Sequence, residues 1–188
     1  VAASTSAHIV LGAPDAADAN GICASATINT TGTIGGALAS GGVATMDVPR
    51  NVVGAWTNSA TITITGTDEY GVAMTETSGS GTSHAGKKAF KTVTGVVSST
   101  SITSATVGSG DVLGLPVALP QVGQCVAELE DGADATAGTL VKAAGAVATA
   151  TTGDVRGTYD ANSAANGAKA FTLICSLTDP ANKGVTQA

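Results

Sequence analysis

Thr61-Ile62-Thr63-Ile64-Thr65, followed by Gly66-Thr67-Asp68-Glu69-Tyr70-Gly71, is the stretch that decides the fold class. Ile62 and Ile64 fall on one side of an extended chain and the three threonines on the other, a period of two that suits a strand and not a helix. The segment 66–71 carries the Gly and Asp chemistry that reverses a chain, so residues 72–77 read as the returning strand of a hairpin.

Further strands are expected at 43–53, 89–97, 125–130, 139–143, 154–159 and 171–177, separated by Gly, Asn, Asp and Ser clusters. In the last of these, Phe171, Leu173, Cys175 and Leu177 alternate with smaller or polar residues, the pattern of a core strand. Helix is disfavoured because Gly, Thr, Ser and Val dominate, and the Ala-rich run 142–150 is interrupted by Gly145. The reading is an all-β chain, a jelly-roll-like β-sandwich over 22–188 whose two sheets divide near residue 116. Residues 1–21, with the single apolar run His8-Ile9-Val10-Leu11 and with Pro14, Asp15 and Asp18, read as an extended N-terminal arm.

The chain holds only two Phe, two Tyr and one Trp in 188 residues, so its core must be built from small and β-branched side chains. Such a thin core points to stability shared with partner subunits. A hydrophobic content of 43% against 12% charged residues excludes the disordered class, and no apolar run is long enough to span a bilayer. The net charge of −6 leaves no basic stripe for phosphates, which argues against nucleic-acid binding. Cys23, Cys125 and Cys175 are odd in number, far apart and without a C-x-x-C pair, so they read as buried small hydrophobes in a reducing cytoplasm rather than as a bridge framework or zinc site. Val1 fits removal of an initiator Met, and residues 1–21 lack the blocks of a signal peptide.

The motifs that suggest chemistry are incomplete. Gly81-Thr82-Ser83-His84-Ala85-Gly86-Lys87 has the glycine and lysine spacing of a phosphate-binding loop. Lys88 stands where a Ser or Thr would hold magnesium, however, and the following residues read as strand, so a flexible glycine loop is expected. Glu128, Glu130, Asp131 and Asp134 supply oxygens but not the calcium-loop spacing, and read as a solvated loop next to a half-exposed strand. Gly108-Ser109-Gly110-Asp111 has the wrong order for a nucleophile elbow. His8 and His84 have no neighbouring nucleophile. No catalytic residue, metal or cofactor is therefore assigned. Trp56 reads as a core anchor or a ring seated in a partner's pocket, and Arg50 and Arg156 as surface pairs or interface forks. The candidate partner-binding residues are His8, Ile9, Val10, Leu11, Arg50, Trp56 and Arg156.

The succession of short phrases carries a resemblance. Val48-Pro49-Arg50-Asn51-Val52, then Thr63-Ile64-Thr65-Gly66-Thr67-Asp68 with Tyr70-Gly71, and Thr75-Glu76-Thr77 are followed by 86–93 and by Val107-Gly108-Ser109-Gly110-Asp111-Val112-Leu113-Gly114-Leu115-Pro116. The series resembles head decoration (cement) proteins of tailed bacteriophages, including cyanophages, over 43–116, and more loosely at 152–159. The resemblance implies a non-enzymatic virion structural protein made in the host cytoplasm and bound to the exterior of the expanded capsid. Its partners would be the major capsid protein and two further copies of itself in a trimer. A head-fibre or tail-associated carbohydrate-binding module is the alternative, against which the shortage of aromatic platforms weighs.

Overall fold

The computed structural model describes residues 4–146 and 148–187, without the side chain of Ser25. Thirteen strands run through the described residues: Thr5–Gly12 (β1), Cys23–Ile28 (β2), Ala39–Ser40 (β3), Val43–Ala60 (β4), Ile62–Thr67 (β5), Ala73–Thr77 (β6), Gly81–Ser98 (β7), Ile102–Gly114 (β8), Cys125–Glu130 (β9), Ala133–Asp134 (β10), Thr139–Lys142 (β11), Gly157–Asp160 (β12) and Phe171–Leu177 (β13). The one helical element among them is the short 3-10 turn Val122–Gln124. All strand pairings are antiparallel, and the strands form two curled sheets of a β-sandwich-like half-barrel.

The larger sheet has the order β11-β12-β8-β4-β7-β5-β6, with β2 added to β8 and β3 to β4. Its spine is the pair of 18-residue strands β4 and β7. Their register slips at three places, between Thr45 and Arg50, Asn51 and Val53, and Ala55 and Ala60. Each bulge bends and twists the ladder, which is how strands this long close round a core instead of lying flat. The concave side holds Ile22, Met46, Val52, Trp56, Ile62, Ile64, Met74, Phe90, Val93 and Ile102 among its buried residues. The alternation of Ile62 and Ile64 seen in the sequence thus marks the inner face, and the β5–β6 hairpin turns through Asp68 to Gly71, with Gly71 at φ 77°.

The smaller sheet has the order β1-β13-β9-β10 and packs across the β8–β12 end of the larger one. The second core between them joins Ile9, Leu11, Leu113, Leu115, Leu119, Tyr159, Phe171, Leu173 and Leu177, with the Tyr159 and Phe171 rings meeting edge-on at 6.4 Å. The expectation of a loose arm over 1–21 is corrected here. Residues 1–3 lie outside the described residues, but Thr5–Gly12 is an edge strand paired with β13 from Thr5↔Leu177 to Gly12↔Phe171. The physical reason is the alternation in the apolar run itself, which buries Ile9 and Leu11. The chain after β1 is pinned across β8 by Ser109 N donating to Asp18 O (2.9 Å) and Asp18 N donating to Ser109 Oγ (3.0 Å). Gly108 permits this approach, because a Cβ there would stand 1.9 Å from Asp18 O.

Two other expectations are corrected, and one strand is added. The glycine stretch 81–87 is no flexible loop but the first third of β7, paired with β4 at Ala55↔Ser83, Gly54↔His84 and Val53↔Ala85. The strand 102–114, unremarked in the sequence, lies in the interior of the larger sheet. Cys125 and Cys175, read as free thiols, form a disulfide bridging β9 and β13 across the pair Cys175↔Cys125, and Cys23 is the free, buried cysteine.

Burial pushes the Cys23 thiol up from 9.0 to about 11. The native state therefore holds this proton between pH 9 and 11 while the unfolded chain releases it, so stability falls as pH rises through that window and is untouched below it. The full effect is on the order of 2 to 3 kcal/mol. The loss in urea midpoint between pH 8 and 11 should be smaller in Cys23→Ala than in the unmodified chain; equal losses would contradict the assignment.

Candidate functional site

Two regions gather the side chains that sequence reasoning singled out. The first is a buried polar seam. Asp68 Oδ1 accepts from Tyr70 N (2.8 Å) and Val72 N (2.9 Å), an arrangement that folds the turn of the β5–β6 hairpin. Its Oδ2 meets Arg156 Nη1 at 2.9 Å, both side chains being buried, and Arg156 Nε donates to Leu115 O (3.0 Å). Tyr70 OH donates to Pro116 O (2.7 Å), with Arg156 5.3 Å and Lys183 3.9 Å from its ring centre. Arg156 is thus the peg that joins a hairpin turn, the end of β8 and the approach to β12.

The seam continues through Asp154, which accepts from Ala89 N (3.0 Å) and Arg156 N (2.9 Å). Burial raises its carboxyl above the ordinary range despite those hydrogen bonds. Lys88 is fully buried nearby, and its ammonium is pushed down by burial while Glu76 and Asp154 hold it up. Glu76 accepts from Lys87 N (2.6 Å) and lies 3.8 Å from His84 Nε2 at a cleft of about 310 Å³. The His84 side chain is 6% exposed. Sequence reading misses this seam because its members lie on five separate segments; the one local signal is Lys88 in a stretch that is otherwise strand.

The second region is the outer face of the smaller sheet. Direct partners across an antiparallel ladder share a face. The row Ile9, Leu173, Glu128 is therefore inward, and the rows His8, Ile174, Ala127 and Val10, Thr172, Leu129 are outward. Alternation in β9 alone suggests acids in solvent with Ala127 and Leu129 against the core. The structure reverses this for Glu128 and Glu130, while Asp131 and Asp134 are exposed, as a solvated loop requires. Glu128 Oε2 accepts from Tyr159 OH (2.9 Å) and Gly138 N (2.7 Å). Glu130 accepts from Ser163 Oγ and lies 3.3 Å from Lys169 Nζ, and the Ser163 hydroxyl is the main cause of its lowered carboxyl pKa. The register slip between Ile174 and Cys175 turns Cys125 inward beside this row and leaves Val126 bulged and 70% exposed. The outward rows hold no charged residue until Asp134 on β10, and Val10 within them is 67% exposed.

Of the contact residues expected from the sequence, Ile9, Leu11, Arg50, Trp56 and Arg156 are buried within the chain. Trp56 Nε1 donates to Gly81 O (2.9 Å), and Arg50 Nη2 donates to Asp15 O (2.7 Å) and pairs with Asp47. The reading of both arginines as surface groups is thereby corrected: each ties a loop to the body instead. His8 and Val10 remain exposed, close together on the outward face of β1. No family model, no curated protein and no solved structure matches this chain.

Proposed function

We propose that this chain is a structural protein of a tailed-phage virion, a decoration protein that binds the outer surface of the expanded capsid as an oligomer, a trimer in the family it resembles. The observation that carries the reading is the outer face of the smaller sheet. An antiparallel sheet with one face in water normally sets polar residues there, whereas here Ala127, Leu129, Ile174 and Val10 face out and the acids of the same strand turn in. A weakly apolar face whose charge is confined to Asp134 at its β10 end suits a contact with a protein lattice. The phrases that resemble decoration proteins over 43–116 support the same reading, since they form the bulged spine and hairpin of the body.

The mechanism is avidity. Each face is small, so a single contact is weak, but an oligomer seated where several capsid subunits meet engages its second and third faces at high effective concentration. A protein that binds the expanded shell alone stabilises it by linkage. The carbohydrate-binding alternative gains nothing from the structure: Trp56, Phe90, Tyr159 and Phe171 are buried, and Tyr70, 41% exposed, has Lys183 over its ring. The test is Leu129→Lys in co-sedimentation with expanded capsids that lack the protein. The variant should keep its thermal midpoint and stay in the supernatant while the unmodified chain pellets. Equal pelleting of both would remove the face from the proposed contact.

A further inference from the structure

We infer that Lys88 Nζ condenses with the side-chain carboxyl of Asp154, expelling water and closing an isopeptide bond within the chain, with the Glu76 carboxylate carrying the proton. The bond would fasten β7 to the segment that leads into β12, and it does not depend on the capsid reading. The geometry behind it is the edge of β7 that β5 leaves uncovered, since the β5 ladder stops at Thr92. On that stretch Lys87 N donates to Glu76 Oε1 (2.6 Å) and Ala89 N donates to Asp154 Oδ2 (3.0 Å). Amides two residues apart on a strand point to the same edge about 7 Å from one another, so the two carboxylates are docked one to each side of Lys88 along the strand. Lys88 is 0% exposed and each of the two acids 3%, and Glu76 and Asp154 are the acids that act on its ammonium.

The balance of buried charge selects Asp154 as the acid that reacts. The seam buries three acids, Asp68, Glu76 and Asp154, against Lys88 and Arg156. Arg156 is committed to Asp68 at 2.9 Å, and Glu76 has the His84 ring at 3.8 Å. Turning Lys88 and Asp154 into one neutral amide leaves each remaining acid beside a basic group. Condensation with Glu76 instead would strand the Asp154 charge in the interior, where an unpaired charge is most costly. Burial also favours the reactive forms, because it raises the Asp154 carboxyl and lowers the Lys88 ammonium against the pull of the two acids. In the step, the Nζ lone pair adds to Asp154 Cγ, Glu76 takes a proton from the nitrogen and returns it to Oδ1, and the Cγ–Oδ1 bond breaks to release water. Ala89 N already holds Oδ2, the oxygen that carries the charge of the tetrahedral intermediate and stays as the amide carbonyl. The balance closes within the chain: one amine and one carboxyl become one amide and one water.

Mass spectrometry of the purified, folded protein is the test, after reduction of the Cys125–Cys175 bridge. The intact chain should be lighter than its sequence by the mass of one water. Trypsin should fail to cut after Lys88 and should release residues 88–91 joined to residues 143–156. Lys88→Met, which keeps the side-chain length without the amine, and Asp154→Ala should both have the full sequence mass. Glu76→Gln, with a native far-ultraviolet circular dichroism spectrum, should also stay at full mass. An unmodified chain of full mass, with residues 88–91 and 143–156 never recovered joined, would overturn the bond, as would a water lost at any other site. Undiminished crosslinking in Glu76→Gln would overturn the part assigned to Glu76.

Discussion

Arg156→Ala is expected to cost about 3 to 5 kcal/mol, because it leaves the Asp68 carboxylate buried without its counter-charge. The loss is that large for a geometric reason. Asp68 is 1% exposed, and its carboxylate also holds the hairpin turn through Tyr70 N and Val72 N, so it cannot swing out to water without unmaking the turn. Arg156 in turn satisfies Leu115 O, whose loss leaves a buried carbonyl without that donor. The check is a pair of urea titrations with a double substitution. Arg156→Met combined with Asp68→Asn removes both charges while keeping an acceptor for the turn, and should recover a good part of the stability. If Arg156→Ala shifts the midpoint no more than an exposed substitution does, the seam is not what joins the hairpin to β12.

Opening the Cys125–Cys175 bridge is expected to cost about 4 kcal/mol from the chain entropy of a loop closed across a sequence separation of 50. That segment carries β10, β11 and β12, so the bridge fastens the smaller sheet after the chain has visited the larger one and returned. The sulfurs form a direct cross-strand pair beside the second core, and reduction would also loosen β9, the strand that presents Ala127 and Leu129 outward. Unfolding followed with and without a reductant, and in Cys125→Ser with Cys175→Ser, measures the effect. Identical midpoints in all three would show that the bridge contributes nothing. A bridge of this kind forms once the chain meets oxidising surroundings.

The parts of the fold legible in the sequence are those governed by local pattern. The 61–77 hairpin is plain because Ile62 and Ile64 alternate with threonine and a turn follows at once. Phe171–Leu177 is plain for the same reason. β8 is not, since Gly108, Ser109 and Gly110 look like a loop; those residues are small because Asp18 O and Asn51 Oδ1 press against the strand from outside it. Gly86 likewise lies against Glu76 and the Val52 backbone, so what reads as loop flexibility is close packing. The contact face is hidden for a related reason. The polarity of β9 points one way, but the partners that draw Glu128 and Glu130 inward are Tyr159, Ser163 and Lys169, about 30 to 40 residues away in sequence and invisible to any local period. The disulfide and the buried arginines share that cause: each is made by residues whose nearness is a property of the sheet order alone.

Saturation binding of the unmodified protein to expanded phage capsids lacking it, with unexpanded shells alongside, bears most directly on the proposed decoration role. Saturable binding of an oligomer to expanded shells only, at a fixed ratio of protein to capsid subunits, is the predicted result. Binding to neither shell, or equal binding to both, would contradict it.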